Sequence, residues 1–149
     1  MTEARASRTR TRPVQRVAAL VGAVFLVVGV LGFIPGVTTN YDQLEWAGPD
    51  ADAMLFGVFA VSILHNLVHL AFGVLGLAAA MSAAMSRIFL LVGGLVYLIL
   101  TAYGVWVDLS SDANFIPVNT PDNWLHLGLG VGMIAAALVA TAIERRRIG

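Results

Sequence analysis

Three histidines and one aspartate are spaced so that they could act together. His65 and His69 lie four positions apart, as do Asp122 and His126, and that spacing puts both members of each pair on one face of a helix. Three imidazoles and a carboxylate form a reasonable donor set for a divalent metal such as zinc or iron. The chain has no cysteine, which excludes disulfides, thiolate metal sites, iron–sulfur clusters and cysteine nucleophiles. The His65-x-x-x-His69 spacing is that of a metalloprotease helix, but Asn66 stands where the catalytic Glu would be, which argues against peptidase chemistry. A second reading pairs His69 with His126 as axial haem ligands, with Gly73 and Gly130 one turn further on making room for the macrocycle. Proton handling by imidazoles titrating near neutrality is a third. The plain structural alternative has these groups bonding one another across packed helices, with Asn66 and Asn123 as paired glue and Asp122 as a first-turn residue. Ser62, Tyr97, Thr101 and Thr141 are too scattered to define a pathway, and hydroxyls often bond their own helix.

The histidine stretches echo one another. His65–Val74 laid over Asp122–Val131 matches Asn66 with Asn123, His69 with His126, Leu70 with Leu127, Gly73 with Gly130 and Val74 with Val131. Upstream, Arg16/Arg87, Leu20/Leu91, Val21/Val92 and Gly22/Gly93 also fall in register. The spacing predicts two tandem helical hairpins, residues 14–84 and 87–147, related by a pseudo-twofold axis along a membrane normal.

What positions these residues is a set of apolar runs. At 149 residues, with 58% apolar and 12% charged, the composition departs from the soluble norm of about 45–50% apolar and about 25% charged. A soluble chain this short has too little interior for so much apolar surface, so a lipid bilayer is the expected solvent. The predicted spans are residues 14–34, 53–81, 88–107 and 123–143, following a basic cytoplasmic tail at residues 1–13. Pro13 suits a first helical turn and Pro35-Gly36 a stop. The first run is long and lacks a small-x-small cleavage site, so it reads as a retained helix, not a signal peptide. The second run, continued as one straight helix, would be about 45 Å long, so it must tilt, project or break, with Gly57 the natural point. Thr120-Pro121-Asp122 predicts a helix start with Thr120 as N-cap.

The cations are all arginine, which together with the Ala, Gly and Val content suggests a GC-rich, bacterial coding sequence. Arginines fall on the N-terminal tail, at Arg87 and on the C-terminal tail; most carboxylates fall on the loops at residues 35–53 and 108–122. By the positive-inside rule both termini are cytoplasmic and the acidic loops face outward, flanked by Tyr41, Trp46, Tyr103, Trp106 and Trp124 as an aromatic belt. An arginine cluster before an apolar run reads as a topology or lipid-headgroup signal, not nucleic-acid binding. Two small-residue stripes, His69-Gly73-Gly76-Ala80 and Gly128-Gly132-Ala136-Ala140, predict close helix packing. No Walker loop, nucleophile elbow, dinucleotide fingerprint or intramembrane carboxylate pair occurs.

With its basic N-terminus and four spans, and through the His65-Asn66-x-x-His69-x-x-x-Gly73 and Asn119-Thr-Pro-Asp122-Asn123-x-Leu125-His126 stretches, the chain resembles a bacterial family of small four-helix membrane proteins catalogued only as a domain of unknown function, from about Val14 to Ile143. The resemblance implies the same topology and no activity. The expected fold is therefore all-α, a polytopic membrane four-helix bundle. The expected role is a non-enzymatic membrane or envelope component with an outward-facing His/Asn/Asp cluster. The alternative is a redox or proton-linked protein binding a metal through His65, His69, Asp122 and His126, or haem through His69 and His126. Whether a second copy or another membrane protein completes a larger pathway is left open.

Overall fold

In the computed structural model, which describes residues 11–146, four helices account for most of the chain. They are α1 (Pro13–Leu31), α2 (Ile63–Ala79), α3 (Ala83–Trp106) and α4 (Thr120–Arg146). Three of them, α1, α3 and α4, are long and apolar enough to cross a membrane, while α2 is a shorter apolar helix of 17 residues. Most of the basic tail expected at residues 1–13, and Arg147, lie outside the described residues.

Sequence reading ran the second helix from residue 53 to 81, and the structure corrects this. The start of that run instead forms β2 (Met54–Leu55) and β3 (Phe59–Ala60), which with β1 (Thr38–Thr39) make a small antiparallel sheet in the order β1-β2-β3. Thr38 pairs with Leu55, and Leu55 with Phe59. The expected break at Gly57 is real, but it turns a hairpin: Phe56 and Gly57 both have positive φ, at 55° and 69°, the backbone that primed hairpin turns require. Phe is an unusual residue for that region, and its amide is held by a hydrogen bond to the Val37 carbonyl at 2.9 Å. Beneath the sheet, Ala53, Leu55 and Val61 bury against Val28, Leu31 and Val37, forming a small apolar core distinct from that between the helices.

Helix ends are closed locally. Ser62 caps α2 by accepting from the His65 amide at 3.1 Å, and the carbonyls of Glu45 and Trp46 take the amides of Ile63 and Leu64. The cap of α4 is Asn119, not Thr120: Asn119 Oδ1 accepts from the Asp122 amide at 3.0 Å, and Asp122 Oδ2 accepts from the Asn119 amide at 2.9 Å. This reciprocal pair is a capping box, with Asp in the place of the usual Glu or Gln.

α1 packs chiefly along α2, and α3 along α4. The helices touch through glycine because a missing side chain lets backbones approach, the usual basis of helix association where no water is present to drive it. A Cβ at Gly22 would meet the Gly73 carbonyl at 2.9 Å, and one at Gly94 the Gly130 carbonyl, also at 2.9 Å. Leu26 fills the space over Gly73, and Leu98 that over Gly130. The Asn66 side chain lies on Gly32, and that of Asn123 on Gly104. In contacts, then, Gly22, Phe25, Leu26 and Gly32 correspond to Gly94, Tyr97, Leu98 and Gly104. This register is one residue further along than the match of Gly22 with Gly93. Burial follows the shifted register: Val14 and Ala18 are fully buried, as are their counterparts Ser86 and Leu90.

Large apolar side chains point the other way. Leu20, Val27, Val74, Leu95, Val131 and Leu138 are exposed on the outside of the helices. Of the two small-residue stripes, Gly73 and Gly76 pack as expected, but Gly128 and Gly132 face open space.

Candidate functional site

The sheet and the capping box of α4 are joined by the aspartate that sequence reading counted as a metal ligand. Asp122 Oδ2 accepts from the amide of Ala60 on β3 at 3.0 Å as well as from Asn119, and Asn119 Nδ2 donates to the Val58 carbonyl at 2.8 Å. The N-terminus of α4 thereby closes the free edge of the sheet. Asp122 is buried in this position.

One turn further along α4, His126 enters a cluster with His65 and His69 of α2 and Tyr97 of α3. The Nε2 atoms of His65 and His69 are 3.1 Å apart, with the rings edge-on and their centroids 4.5 Å apart. The rings of His65 and His126 lie 6.3 Å apart, and those of Tyr97 and His126 5.2 Å apart. Tyr97 Oη is 3.4 Å from His69 Nε2, and Phe25 stacks on the other side of His69 at 5.6 Å. Phe25 and Tyr97 therefore occupy matched positions on α1 and α3, each against a histidine of the matched pair. Nδ1 of His65, His69 and His126 is buried without a hydrogen-bond partner in all three cases.

Two cavities flank the cluster. One, of about 190 Å³, opens between α2 and α3 and is lined by Ser62, Val68, Phe72 and Leu100. The other, of about 230 Å³, lies between α1, the sheet and α4 and is lined by Val28, Phe59, Asp122 and Leu129. His65, His69, Tyr97 and His126 line both, so the cluster is the wall between them.

The four sequence-predicted residues thus share one cavity, with different duties. Among the described residues no group of three or more His, Asp and Glu side chains forms a metal cage. A haem between His69 and His126 does not fit. The space over Gly73 and Gly130 is taken by Leu26 and Leu98, and each cavity is smaller than the pockets of about 300 Å³ and more that hold large ligands. Asn66 and Asn123 are not glue for each other, since each packs against its own hairpin partner, Asn123 donating to the Gly104 carbonyl at 2.9 Å. Tyr97, grouped above with scattered polar residues, joins the cluster although a lone Tyr in an apolar span carries no spacing signal; its match with Phe25 emerges only in the corrected register.

The paired Asn/His/Gly stretches and the capped start of α4 lie inside a segment, residues 15–139, that matches a described protein family. The chain belongs to the family described as a domain of unknown function (DUF4383). No curated protein and no solved structure matches it.

At the opposite end of the helices lies a second polar group. The buried Glu144 of α4 is hydrogen-bonded and ion-paired to Arg87 of α3, with Arg12 at 3.9 Å. Arg87 Nε also donates to Thr141 Oγ1 at 3.1 Å, and Gln15 of α1 donates to the Ala80 carbonyl at 2.9 Å.

Proposed function

We propose that this chain is a four-span integral protein of the bacterial cytoplasmic membrane, a non-enzymatic membrane or envelope component with both termini cytoplasmic and the sheet facing outward. The observation that carries the reading is the division of charge along helices whose large apolar side chains face out. Arg12, Arg16, Arg87, Arg145 and Arg146 stand at one end, and Asp42, Glu45, Asp50, Asp52, Asp108 and Asp112 on the loops at the other. Exposed Trp46, Trp106 and Trp124 at the acidic end support an interfacial belt there. The short α2 is compatible with a span, since 17 residues rise about 25 Å and the sheet covers its outer end. Matched contacts in the two hairpins support a bundle with a pseudo-twofold axis along the membrane normal.

A structural role is supported by how the polar side chains of the cap are used. Asp122, Asn119 and Ser62 all bond backbone, and so does Asn114, which donates to the Leu109 carbonyl at 3.0 Å and accepts from the Val118 amide at 3.3 Å. The loops form a lid tied together by the Gly48 amide on the Phe115 carbonyl at 2.9 Å.

The chain has no cysteine, so single-cysteine probes test the orientation cleanly. Asp50→Cys and Ser110→Cys should react with a membrane-impermeant maleimide on intact cells, and Met81→Cys, at an exposed position in the turn between α2 and α3, only after permeabilisation. The reverse pattern would sink the orientation. Recovery of the chain without detergent from the soluble fraction would sink the membrane assignment.

A further inference from the structure

We propose that the cavity between α2 and α3 is a lateral binding site for a neutral, ring-headed membrane lipid of the quinone class, its ring against the histidines and its tail leaving into the bilayer. The two cavities beside the cluster answer each other in the matched register of the hairpins. Val68, His69 and Phe72 of α2 line the first, and Leu125, His126 and Leu129, their counterparts on α4, line the second. Leu100 of α3 and Val28 of α1 correspond in the same way. Val68 is 43% exposed and Leu125 40%, so each cavity has its mouth on the outer surface of the helices. The second is roofed by Leu55, Phe59 and Val61 of the sheet region and carries Asp122, which leaves the first as the site for an uncharged ligand.

The lining of the α2–α3 cavity decides what enters it. Among the described residues no Arg, Asp or Glu lines it, so phosphate, carboxylate and ammonium headgroups find no counter-charge there. Leu64, Val68, Phe72, Val96 and Leu100 give it apolar walls, and the histidine cluster forms the wall shared with the second cavity. An apolar pocket with a few convergent polar groups is the usual form of a small-molecule site. A cavity of about 150 Å³ holds benzene, so one of about 190 Å³ holds a single substituted ring and leaves a long tail outside.

The shared wall has donors to spare. His65, His69 and Tyr97 bring at least one proton each, and the contacts of His69 Nε2 with His65 Nε2 and with Tyr97 Oη spend two of them. One N–H or O–H is therefore left over, and His126, 3% exposed with Nδ1 unpartnered, brings another. Buried donors call for acceptors, and a quinone ring supplies two carbonyl oxygens without charge. Because the imidazole torsion about Cβ–Cγ is broad and roughly two-fold, a turn of the His126 ring aims its donor into the cavity it lines. A hydrocarbon chain from bulk lipid would fill the same walls but leave these donors bare, which is costly where no water reaches them. The inference rests on the membrane reading above, since a bilayer is what brings lipid to the mouth; a chain recovered in the soluble fraction would sink both, whereas the binding experiment tests this one alone.

The full chain in lipid nanodiscs is dialysed to equilibrium against duroquinone or against durene, the hydrocarbon with the same ring and methyl groups but no oxygens, with empty nanodiscs as the partition blank. Saturable binding of one equivalent of duroquinone, about 10-fold or more tighter than durene, is expected. Val68→Trp, at an exposed position, should block the mouth and weaken binding by about 10-fold or more, while Leu125→Trp, at the matched mouth on the other seam, should leave it unchanged. His126→Phe should weaken duroquinone by about 10-fold, toward the durene level. If His126→Phe fails to fold, the two Trp variants, both at exposed positions, decide the site. Duroquinone uptake no greater than the blank, or equal affinity for duroquinone and durene, overturns the proposal. So does binding that survives Val68→Trp or falls equally in Leu125→Trp.

Discussion

At the scale of single residues, Asp122 illustrates how burial and partners, not residue type, assign a role. Its carboxylate receives two backbone amides from different elements and so fixes where α4 starts relative to β3. Asp122→Ala should destabilise the protein by about 2 to 4 kcal/mol, since it strands the Ala60 and Asn119 amides and removes a cap. Asp122→Asn keeps one acceptor and should lose less; thermal unfolding in detergent compares the two. Asp108 is a simpler case on the exposed loop after α3. The hydroxyl of Ser110 donates to Asp108 Oδ1 at 2.7 Å and its amide at 3.0 Å, and these bonds to the charged form hold the carboxyl below its usual range. With the folded pKa depressed, the turn's extra stability is present above the ordinary carboxylate value and is lost as pH falls through the lowered one. Ser110→Ala should move the Asp108 titration, read by carboxyl NMR shifts, back upward.

At the scale of elements, glycine decides which faces meet. Gly22 and Gly94 abut the backbones of α2 and α4, so an added methyl cannot be absorbed by a side-chain rotation. Gly22→Ala and Gly94→Ala should each loosen a hairpin and destabilise the protein by about 1 to 3 kcal/mol, as overpacking does, read as a lowered melting temperature. Gly128→Ala and Gly132→Ala meet nothing within 4 Å and should leave stability unchanged or raised. Equal damage from all four substitutions would contradict the packing described. The β2–β3 hairpin replaced an expected helical extension because Gly57 and Phe56 take left-handed backbone and Ser62, not an upstream residue, caps α2. Hydropathy alone does not separate an apolar hairpin from an apolar helix, since both bury the same side chains.

At the scale of the molecule, polar contacts clamp the helices at both ends. One clamp is the sheet and the α4 cap; the other is Glu144 with Arg87 and Arg12. Glu144→Gln leaves the partly exposed Arg87 without its counter-charge and should cost about 1 to 3 kcal/mol, less than for a fully buried pair. Arg87→Gln combined with Glu144→Gln should cost less than the sum of the single substitutions, and a double-mutant cycle on unfolding measures that coupling. Glu144 is buried although it stands beside Arg145 and Arg146 in the chain, and nothing in its spacing marks it so.

Much of the fold was legible in the chain itself. Composition, four apolar runs and Pro13 located α1 and α3 to within a few residues at most boundaries, because long apolar helices carry their signal locally. The paired Asn/His/Gly stretches are likewise read from the chain alone, and the helices bring their three histidines into one cluster. What the chain by itself did not determine depends on distance across the fold: the one-residue shift in register, the spending of Asp122 on a strand edge, and the arrival of Tyr97 beside His69. Those follow from how closely glycine lets two backbones approach and from which buried amides lacked a partner. Such contacts join residues far apart in sequence, and only the packed helices bring them together.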